Sequence, residues 1–291
     1  MLSAPIKLPP IHVRHASPSF QGNGQPKIKF VNPNSGNFDR NIRHAATLPY
    51  NMIAHNELEG QNVIICGSGP TLTEPDVLDR IREYQSQGYI LCALKKAIKV
   101  MHEKGFKIDY AVTMDPGAHI ACEDRIYKAP GVTHICASSS DPELFKYLEG
   151  EKIKIFHSAC GLPNETQLYH ELFNDPWCAG GGYNVTNRAA AAFLYMGANE
   201  LVFAGVDGGW RDNEKFYADG TNNRPGVDMK DNGIVDGKNW NTRPDMLASS
   251  VALAKLAQQI GPRAVFLGDV MPEKLRYKDE AFLQKCVSFQ K

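Results

Sequence analysis

From Asn62 onward, short apolar runs alternate with segments in which apolar residues recur at helical spacing. The apolar runs indicate buried strands, and the segments between them, several of which end at glycine, indicate helices. This alternation is typical of a parallel sheet whose strands are joined by crossover helices. The predicted strands cover residues 62–67, 89–94, 110–115, 132–138, 152–158, 200–207 and 263–269, and the predicted helices cover 74–88, 95–105, 141–150, 184–198 and 245–261.

We therefore expect an α/β fold with a Rossmann-like, doubly wound, mostly parallel sheet and helices on both faces. Residues 1–60 are rich in Pro, Asn, Ser and Gly, which predicts an irregular N-terminal arm or cap, with a short helix and a packing strand within 40–56. Residues 61–270 would form the main domain, and 271–291 a C-terminal tail helix. Residues 208–244 form a long polar loop before the last helix, and such loops are usually functional lids or disordered segments.

Composition narrows the class of protein without changing the predicted fold. Lys plus Arg equals Asp plus Glu at 32 each, so no global basic field favours strong binding of nucleic acid or anionic lipid. The seven cysteines are scattered without a CxxC pair or zinc spacing, and we expect reduced core residues in a cytoplasmic protein. No run approaches the roughly 18 apolar residues of a membrane span, and the N-terminus lacks the apolar core of a signal peptide. We expect neither membrane insertion nor export.

The first candidate site is a turn between the first predicted strand and its helix, made of Gly67, Ser68, Gly69, Pro70 and Thr71. Backbone amides at such a turn, together with the positive end of a helix dipole, can bind a phosphate. Leu72 stands where a dinucleotide fingerprint has its third glycine, and the next strand ends in "LCAL" rather than in an acidic residue, which argues against an NAD site. The Gly-Lys-Ser/Thr of a Walker P-loop is also absent. A glycine turn that only packs strand against helix remains the alternative.

Polar side chains follow three further strands. Asp115 ends the third predicted strand before Pro-Gly, Ser138 opens the serine run after the fourth, and Asp207 ends the sixth before two glycines. The carboxyl ends of parallel strands share one edge of the sheet, so these side chains are expected near the glycine turn. A carboxylate there can bind Mg²⁺ or a hydroxyl beside nucleotide phosphates. Asp before Pro is also an ordinary turn opener, and serines are common at strand ends.

A second glycine run, 180–182, leads into a helix that begins near Asn184 or Thr186. This helix N-terminus at the same edge can bind an anion or the edge of a base. The candidates here are Gly181, Gly182, Asn184 and Thr186. Of the nine histidines, only His119 lies beside a candidate site residue in sequence. HExxH, GxSxG and Cys-His nucleophile patterns are absent.

Four motifs in order resemble the motif series of the 6-hydroxymethylpterin diphosphokinase MptE-like domain family: "VIICGSGPTL", "ALKKAIKVMHEKGFKIDYAVTMDP", "HICASSSDPELFKYLEG" and "GGGYNVTNRAAAAFLYMGANELVFAGVD". The resemblance covers about residues 60–270. This family also includes the core of the Maf flagellin-glycosylation factors, and its fold is similar to that of the bacterial lipooligosaccharide sialyltransferases. The resemblance implies a Rossmann-like transferase that binds a nucleotide donor through Gly67, Ser68, Gly69 and Pro70, with Asp115, Gly181, Gly182 and Asp207 around the donor.

The resemblance implies two kinds of chemistry. The pterin enzymes move pyrophosphate from ATP with Mg²⁺, whereas the sialyltransferase-like and Maf-like members use a CMP-activated nonulosonic sugar. The histidine that serves the sialyltransferases as general base has no counterpart in "VDGKNWNTRPDM", so sugar transfer would need another base, such as Asp236 or Asp245. Pyrophosphoryl transfer depends mainly on positioning and charge neutralisation, for which Asp115, Asp207 and Mg²⁺ would suffice.

The sequence therefore favours a Mg²⁺-assisted transferase that moves pyrophosphate from ATP to a pterin-like or other small hydroxymethyl acceptor. The first alternative is a glycosyltransferase that uses a CMP-sugar, and the second is a nucleotide-binding module without catalysis. In the favoured case Asp115 and Asp207 would carry the metal or orient the acceptor hydroxyl. The expected partners are a nucleotide and a small-molecule acceptor, and the sequence leaves open whether the chain forms a homo-oligomer.

Overall fold

The computed structural model of this protein describes residues 37–180, 184–209, 217–218, 231–235, 238–242 and 244–283. The helices are α1 (Phe38–Ala45), α2 (Pro75–Ser86), α3 (Ala97–Glu103), α4 (Pro142–Tyr147), α5 (Glu165–Phe173), α6 (Val185–Tyr195), α7 (Pro244–Ile260) and α8 (Met271–Arg276). The strands are β1 (Asn51–Met52), β2 (Asn62–Cys66), β3 (Ile90–Leu94), β4 (Tyr110–Thr113), β5 (Thr133–Ala137), β6 (Lys152–Phe156), β7 (Glu200–Ala204), β8 (Asp231–Val235), β9 (Lys238–Thr242) and β10 (Ala264–Phe266).

Eight of these strands form one parallel sheet in the order β1-β6-β5-β4-β3-β2-β7-β10. The chain runs from β2 outward to β6 and then crosses back to β7 on the other side of β2. The junction of β2 and β7 is therefore the topological switch point, where doubly wound folds bind ligands at the carboxyl edge. The doubly wound α/β prediction is confirmed, and all seven predicted strands are present. β7 is shorter than predicted because Gly205 leaves the strand conformation with a φ of 63°.

Alternate residues of each strand supply two apolar layers. In β2, Ile64 and Cys66 face the layer that contains α2, α3 and α4. Val63 and Ile65 face the opposite layer, which contains α6 and α7. Because both faces are buried, the strands are nearly continuous apolar runs, and this made them recognisable in the sequence. Polar side chains that could bind a ligand therefore lie in the loops at the two ends of the strands.

The segment before β2 belongs to the sheet and its carboxyl edge. β1 pairs in parallel with β6, so the short helix and packing strand predicted within 40–56 are both present. The buried side chain of Asn41 in α1 donates from Nδ2 to the carbonyl oxygens of Pro116 (3.2 Å) and Ser139 (2.9 Å). Helix α1 therefore packs on the ends of β4 and β5.

Residues 1–36 of the predicted arm lie outside the described residues. Helix α5 was not predicted from the sequence.

The long polar loop predicted at 208–244 contains an antiparallel hairpin of β8 and β9. The end of β9 contacts the start of the loop, where Thr242 Oγ1 donates a hydrogen bond to Gly208 O over 2.7 Å. Asp236 falls outside the described residues, as do residues 210–216, 219–230, 237 and 243 of this loop and residues 284–291 of the predicted tail. Across the part of the chain with described structure, none of the helices has the length and apolar character needed to cross a membrane.

Six of the seven cysteines lie in the described part of the chain, where all six are free thiols. Cys66, Cys92 and Cys136 are buried in the sheet, as predicted, and burial raises the pKa of the Cys136 thiol to about 12. Cys122 is exposed, and Cys160 and Cys178 are half-buried, so the prediction of core positions is wrong for these three. They lie in loops beyond the sheet, where the sequence offers no apolar periodicity.

Candidate functional site

The glycine turn after β2 packs tightly against the chain that leaves β7. Gly67 N donates to Ala204 O (2.8 Å), and Gly69 N donates to Gly205 O (2.9 Å). A Cβ at Gly67 would collide with the carbonyl oxygen of Gly205, and one at Gly69 would collide with the carboxylate of Asp207. Both glycines are thus required by close approach of two chain segments, and both amides are occupied within the protein.

Asp207 lies beneath this turn. Thr71 donates to it twice, from N to Oδ1 (3.3 Å) and from Oγ1 to Oδ2 (3.0 Å), and the aspartate is 3% exposed. A 3₁₀ turn over Pro70–Thr73 separates the glycines from α2, which begins at Pro75, one residue after the predicted start at 74. Pro70 and Pro75, which lack amide hydrogens, together with the extended backbone of Glu74, explain the break. Asp207 therefore stabilises the turn.

The part of the turn that remains open to a ligand is Ser68. Within the described residues neither its amide nor its hydroxyl has a hydrogen-bond partner, whereas its carbonyl accepts from Ala218 N over 3.0 Å. Tyr217, the residue before Ala218, lies under the ammonium group of Lys96, 4.6 Å from its ring centroid. These two residues of the long loop therefore cover the ends of β2 and β3.

A charged pair occupies the ends of β3 and β4. Lys95 Nζ lies 3.3 Å from Oδ2 of Asp115, whose other oxygen accepts from Gly117 N over 3.2 Å. His119 Nε2 lies 3.7 Å from the same Oδ2. The side chains of Lys95 and Asp115 are 32% and 20% exposed, so both are reachable from solvent. Asp115 was predicted from the sequence and the lysines were not, although "KK" directly follows "LCAL", where a dinucleotide site would have its acidic residue.

Ser138, at the end of β5, is fully buried. Its amide donates to Phe156 O (2.8 Å), and its hydroxyl is 2.9 Å from Nδ1 of His157. The His157 ring stacks on Tyr169 with 4.0 Å between ring centroids, and burial lowers the pKa of His157 to about 3. This group is neutral and belongs to the packing between β6 and α5.

Helix α6 begins as the sequence predicted, near Asn184. Asn184 Oδ1 accepts from Asn187 N over 3.0 Å, which caps the helix, and Thr186 is buried in its first turn. Gly181 and Gly182 lie outside the described residues. Arg188, which the sequence analysis missed, donates to the carbonyls of Ala159 (3.1 Å) and Ala179, and its burial lowers its pKa. These two hydrogen bonds connect the start of α6 to the loop after β6.

Apart from Ser138, Asn184 and Thr186, the described candidate residues form two groups along the carboxyl edge. One group joins the glycine turn to Asp207, and the other joins Lys95 to Asp115. Asp115 follows β4 and Asp207 follows β7, and these strands are three positions apart, about 14 Å at the usual strand spacing. In the described residues no three His, Cys, Asp or Glu side chains group closely enough to hold a metal.

Asp115 fits a Mg²⁺ ion better than Asp207 does. Mg²⁺ is usually bound by one or two carboxylates together with substrate phosphates and water. The oxygens of both carboxylates accept hydrogen bonds, but the Asp115 side chain is 20% exposed and can supply one such oxygen, whereas Asp207 is 3% exposed.

The chain matches a known protein family over more than half of its length. The model of the 6-hydroxymethylpterin diphosphokinase MptE-like family matches residues 36–213. The chain belongs to this MptE-like family. The match includes α1 and β1, which the resemblance from about residue 60 to 270 had left out, and it contains the glycine turn, Asp115 and Asp207. Family membership supports a transferase-type function.

Among solved structures, the fold is similar to that of the Maf glycosyltransferase from Magnetospirillum magneticum AMB-1. The TM-score is 0.57 at 17% sequence identity, over 88% of this chain. The chain spans 42% of the length of that protein. At this identity the similarity concerns the fold. A comparison with curated proteins found no match.

Proposed function

We propose that this MptE-like protein is a nucleotide-dependent transferase that moves pyrophosphate from ATP to a pterin-like or other small hydroxymethyl acceptor with Mg²⁺. The observation that carries the proposal is the placement of Lys95 and Lys96 between Ser68 and Asp115, at the ends of the adjacent strands β2, β3 and β4. Two cations beside one accessible carboxylate suit a polyphosphate and its metal.

Each group has a distinct role in this proposal. The Ser68 amide and hydroxyl and the two lysines bind the donor phosphates, and Asp115 binds Mg²⁺ or orients the acceptor hydroxyl. Bound Mg²⁺ would neutralise charge on the transferred phosphates. Asp207 acts indirectly, because it holds Thr71 and hence the shape of the turn. Asn184 and Thr186, with Gly181 and Gly182, are proposed to contact the base or a phosphate.

A ligand panel tests the donor. ATP, CTP, CMP and UDP-sugars are each added with and without Mg²⁺, and thermal unfolding is followed. ATP with Mg²⁺ is expected to stabilise the fold, by about 2.7 kcal/mol at a hundredfold excess over its dissociation constant. ATP and 6-hydroxymethylpterin should then yield AMP and the pterin diphosphate. Absence of stabilisation by every nucleotide would refute the proposal.

Replacement of one carboxylate tests the site. Asp115→Asn is expected to lower turnover by about 10²-fold or more, the range typical of a positioned catalytic group. The matched control is Asp109→Asn, because Asp109 also pairs with a lysine, Lys107, but lies at the opposite edge of the sheet. Equal turnover in the two variants would remove Asp115 from the mechanism.

The alternative is glycosyl transfer from a CMP-sugar, which the fold similarity to a Maf glycosyltransferase favours. It predicts that CMP-containing ligands stabilise the protein more than ATP does. Asp245, in the first turn of α7, is the described candidate for the base that this reaction needs. A nucleotide-binding module without catalysis would show ligand stabilisation and no product with any donor.

A further inference from the structure

The backbone of Lys95 adopts an unusual conformation. Within the described residues four non-glycine residues have a positive φ, and three of them, Asn56, Asn164 and Asn174, are asparagines. Asparagine tolerates the left-handed region because its short polar side chain can hydrogen-bond locally. Lys95, with a φ of 50°, has no such reason to be there. Its conformation is strained, and strain of this kind clusters at functional sites.

The ion pair with Asp115 does not account for the strain. Both side chains are partly exposed, and pairs of this kind contribute little to stability. Packing also does not require a lysine, since the side chain is a third exposed, while Leu94 before it and Ala97 two residues after it are buried. The position instead brings the ammonium group to the carboxyl edge of the sheet. Lys96 follows in the ordinary helical region and turns toward Tyr217.

We propose that Lys95 is the residue that recognises the polyphosphate of the donor, and that Asp115 holds its ammonium group in place until phosphate oxygens replace the carboxylate. The identity of the nucleoside rests on the proposed function, but recognition of a di- or triphosphate group does not. The neighbouring Ser68 amide and hydroxyl supply further donors to the same phosphates. Lys95 is thus a specificity-determining residue that selects phosphorylated ligands over nucleosides.

The test uses inorganic tripolyphosphate and ATP, both with Mg²⁺, as probes in titration calorimetry of the full chain. Lys95→Asn removes the cation and suits the left-handed backbone, whereas Lys95→Arg keeps the cation. Loss of one charge-assisted hydrogen bond should weaken tripolyphosphate binding roughly tenfold to hundredfold. Lys95→Arg should retain binding within about tenfold of the wild type. Lys107→Asn, at the opposite edge, is the matched control and should bind as the wild type does.

Thermal unfolding without ligand supplies a second readout. Relief of backbone strain predicts that Lys95→Asn unfolds at the wild-type temperature or above it. A lower unfolding temperature than that of Lys107→Asn would show that Lys95 serves packing, which overturns the inference. Unchanged tripolyphosphate affinity in Lys95→Asn, or no binding by the wild type, also overturns it. Binding of tripolyphosphate through Lys95 without binding of any nucleotide would sustain this inference and refute the proposed function.

Discussion

The hydroxyl of Thr71 donates a hydrogen bond to Oδ2 of Asp207 over 3.0 Å, across the junction between β2 and β7. The backbone amide of Thr71 donates to the other oxygen of the same carboxylate. Asp207 is buried, so these contacts lie in a setting of low dielectric, where they are stronger than at the surface. The aspartate after β7 therefore fixes the glycine turn, whereas the carboxylate of Asp115, after β4, is partly exposed.

Removal of the Thr71 hydroxyl should destabilise the fold. Thr71→Val leaves one oxygen of the buried Asp207 carboxylate with a donor fewer, at a cost of about 1–3 kcal/mol. The measurement is the urea midpoint of unfolding. Thr73→Val is the matched control, because Thr73 lies in the same 3₁₀ turn and its hydroxyl donates only to Pro70 O at 3.3 Å. An equal loss of stability in both variants would show that the Thr71–Asp207 hydrogen bond stabilises the fold no more than the Thr73 hydrogen bond does.

The glycines of the turn should not tolerate a methyl group. Gly67→Ala drives its Cβ into the backbone carbonyl of Gly205, which cannot move without disturbing β7. We expect a loss of about 1–3 kcal/mol, as for other overpacked sites, measured as a lower unfolding temperature. Gly180→Ala is the control, since a Cβ there meets nothing within 4 Å. Equal unfolding temperatures for the two variants would mean that the turn can separate from β7.

The sheet could be predicted from the sequence because its strands are buried on both faces. A run such as Asn62–Cys66 has no polar face, and its length and flanking glycines identify it as a strand. The strand-end aspartates followed from the same pattern. Their different roles did not, because the burial of Asp207 depends on the path of the chain after Gly205. That path is set by contacts between residues far apart in sequence.

The role of the lysines at the end of β3 also could not be predicted from the sequence. A left-handed lysine has no signature in the sequence, since its neighbours predict an ordinary strand followed by an ordinary helix. The pairing of Lys95 with Asp115 requires the order of β3 and β4 in the sheet, which the sequence analysis did not specify. The hairpin of β8 and β9 was missed because most of its residues are polar and lack clear alternation.

Two buried histidines should make the fold sensitive to acid. Burial lowers the pKa of His134 to about 4 and that of His157 to about 3, from an ordinary value of 6.5. The unfolded chain therefore binds protons below pH 6.5 that the folded chain does not, so stability falls as the pH drops from 6.5 toward 4. Each group contributes a slope of about 1.4 kcal/mol per pH unit within this window.

Urea unfolding at pH 7.5, 6.5, 5.5 and 4.5 measures this slope. His134→Leu should reduce it, because the variant no longer takes up that proton on unfolding. His170→Gln replaces an exposed histidine and should keep the wild-type slope. An unchanged slope in His134→Leu would show that His134 is not held neutral by the fold.

Arg188 provides a test of how a buried charge is held at the start of α6. Its guanidinium donates to Ala159 O and Ala179 O, and its Nε is buried without a partner among the described residues. Arg188→Lys keeps the buried charge but cannot reach both carbonyls with one ammonium group. Arg188→Met removes the charge and its desolvation cost. Ala179 O would still accept from Ala159 N over 3.1 Å, so few acceptors are left unpaired.

We therefore expect Arg188→Lys to lose more stability than Arg188→Met, by about 1–2 kcal/mol in urea unfolding. If the charge of Arg188 were what stabilises the fold, Arg188→Lys would instead be more stable than Arg188→Met. The exposed Arg43, which pairs with Asp39 at 3.0 Å on the surface of α1, provides the control, and Arg43→Met should leave the stability close to that of the wild type. A lysine variant as stable as the wild type would show that the fork of the guanidinium is not required. The loop after β6 would then be fixed by its own backbone, and α6 would owe its position to packing against the sheet.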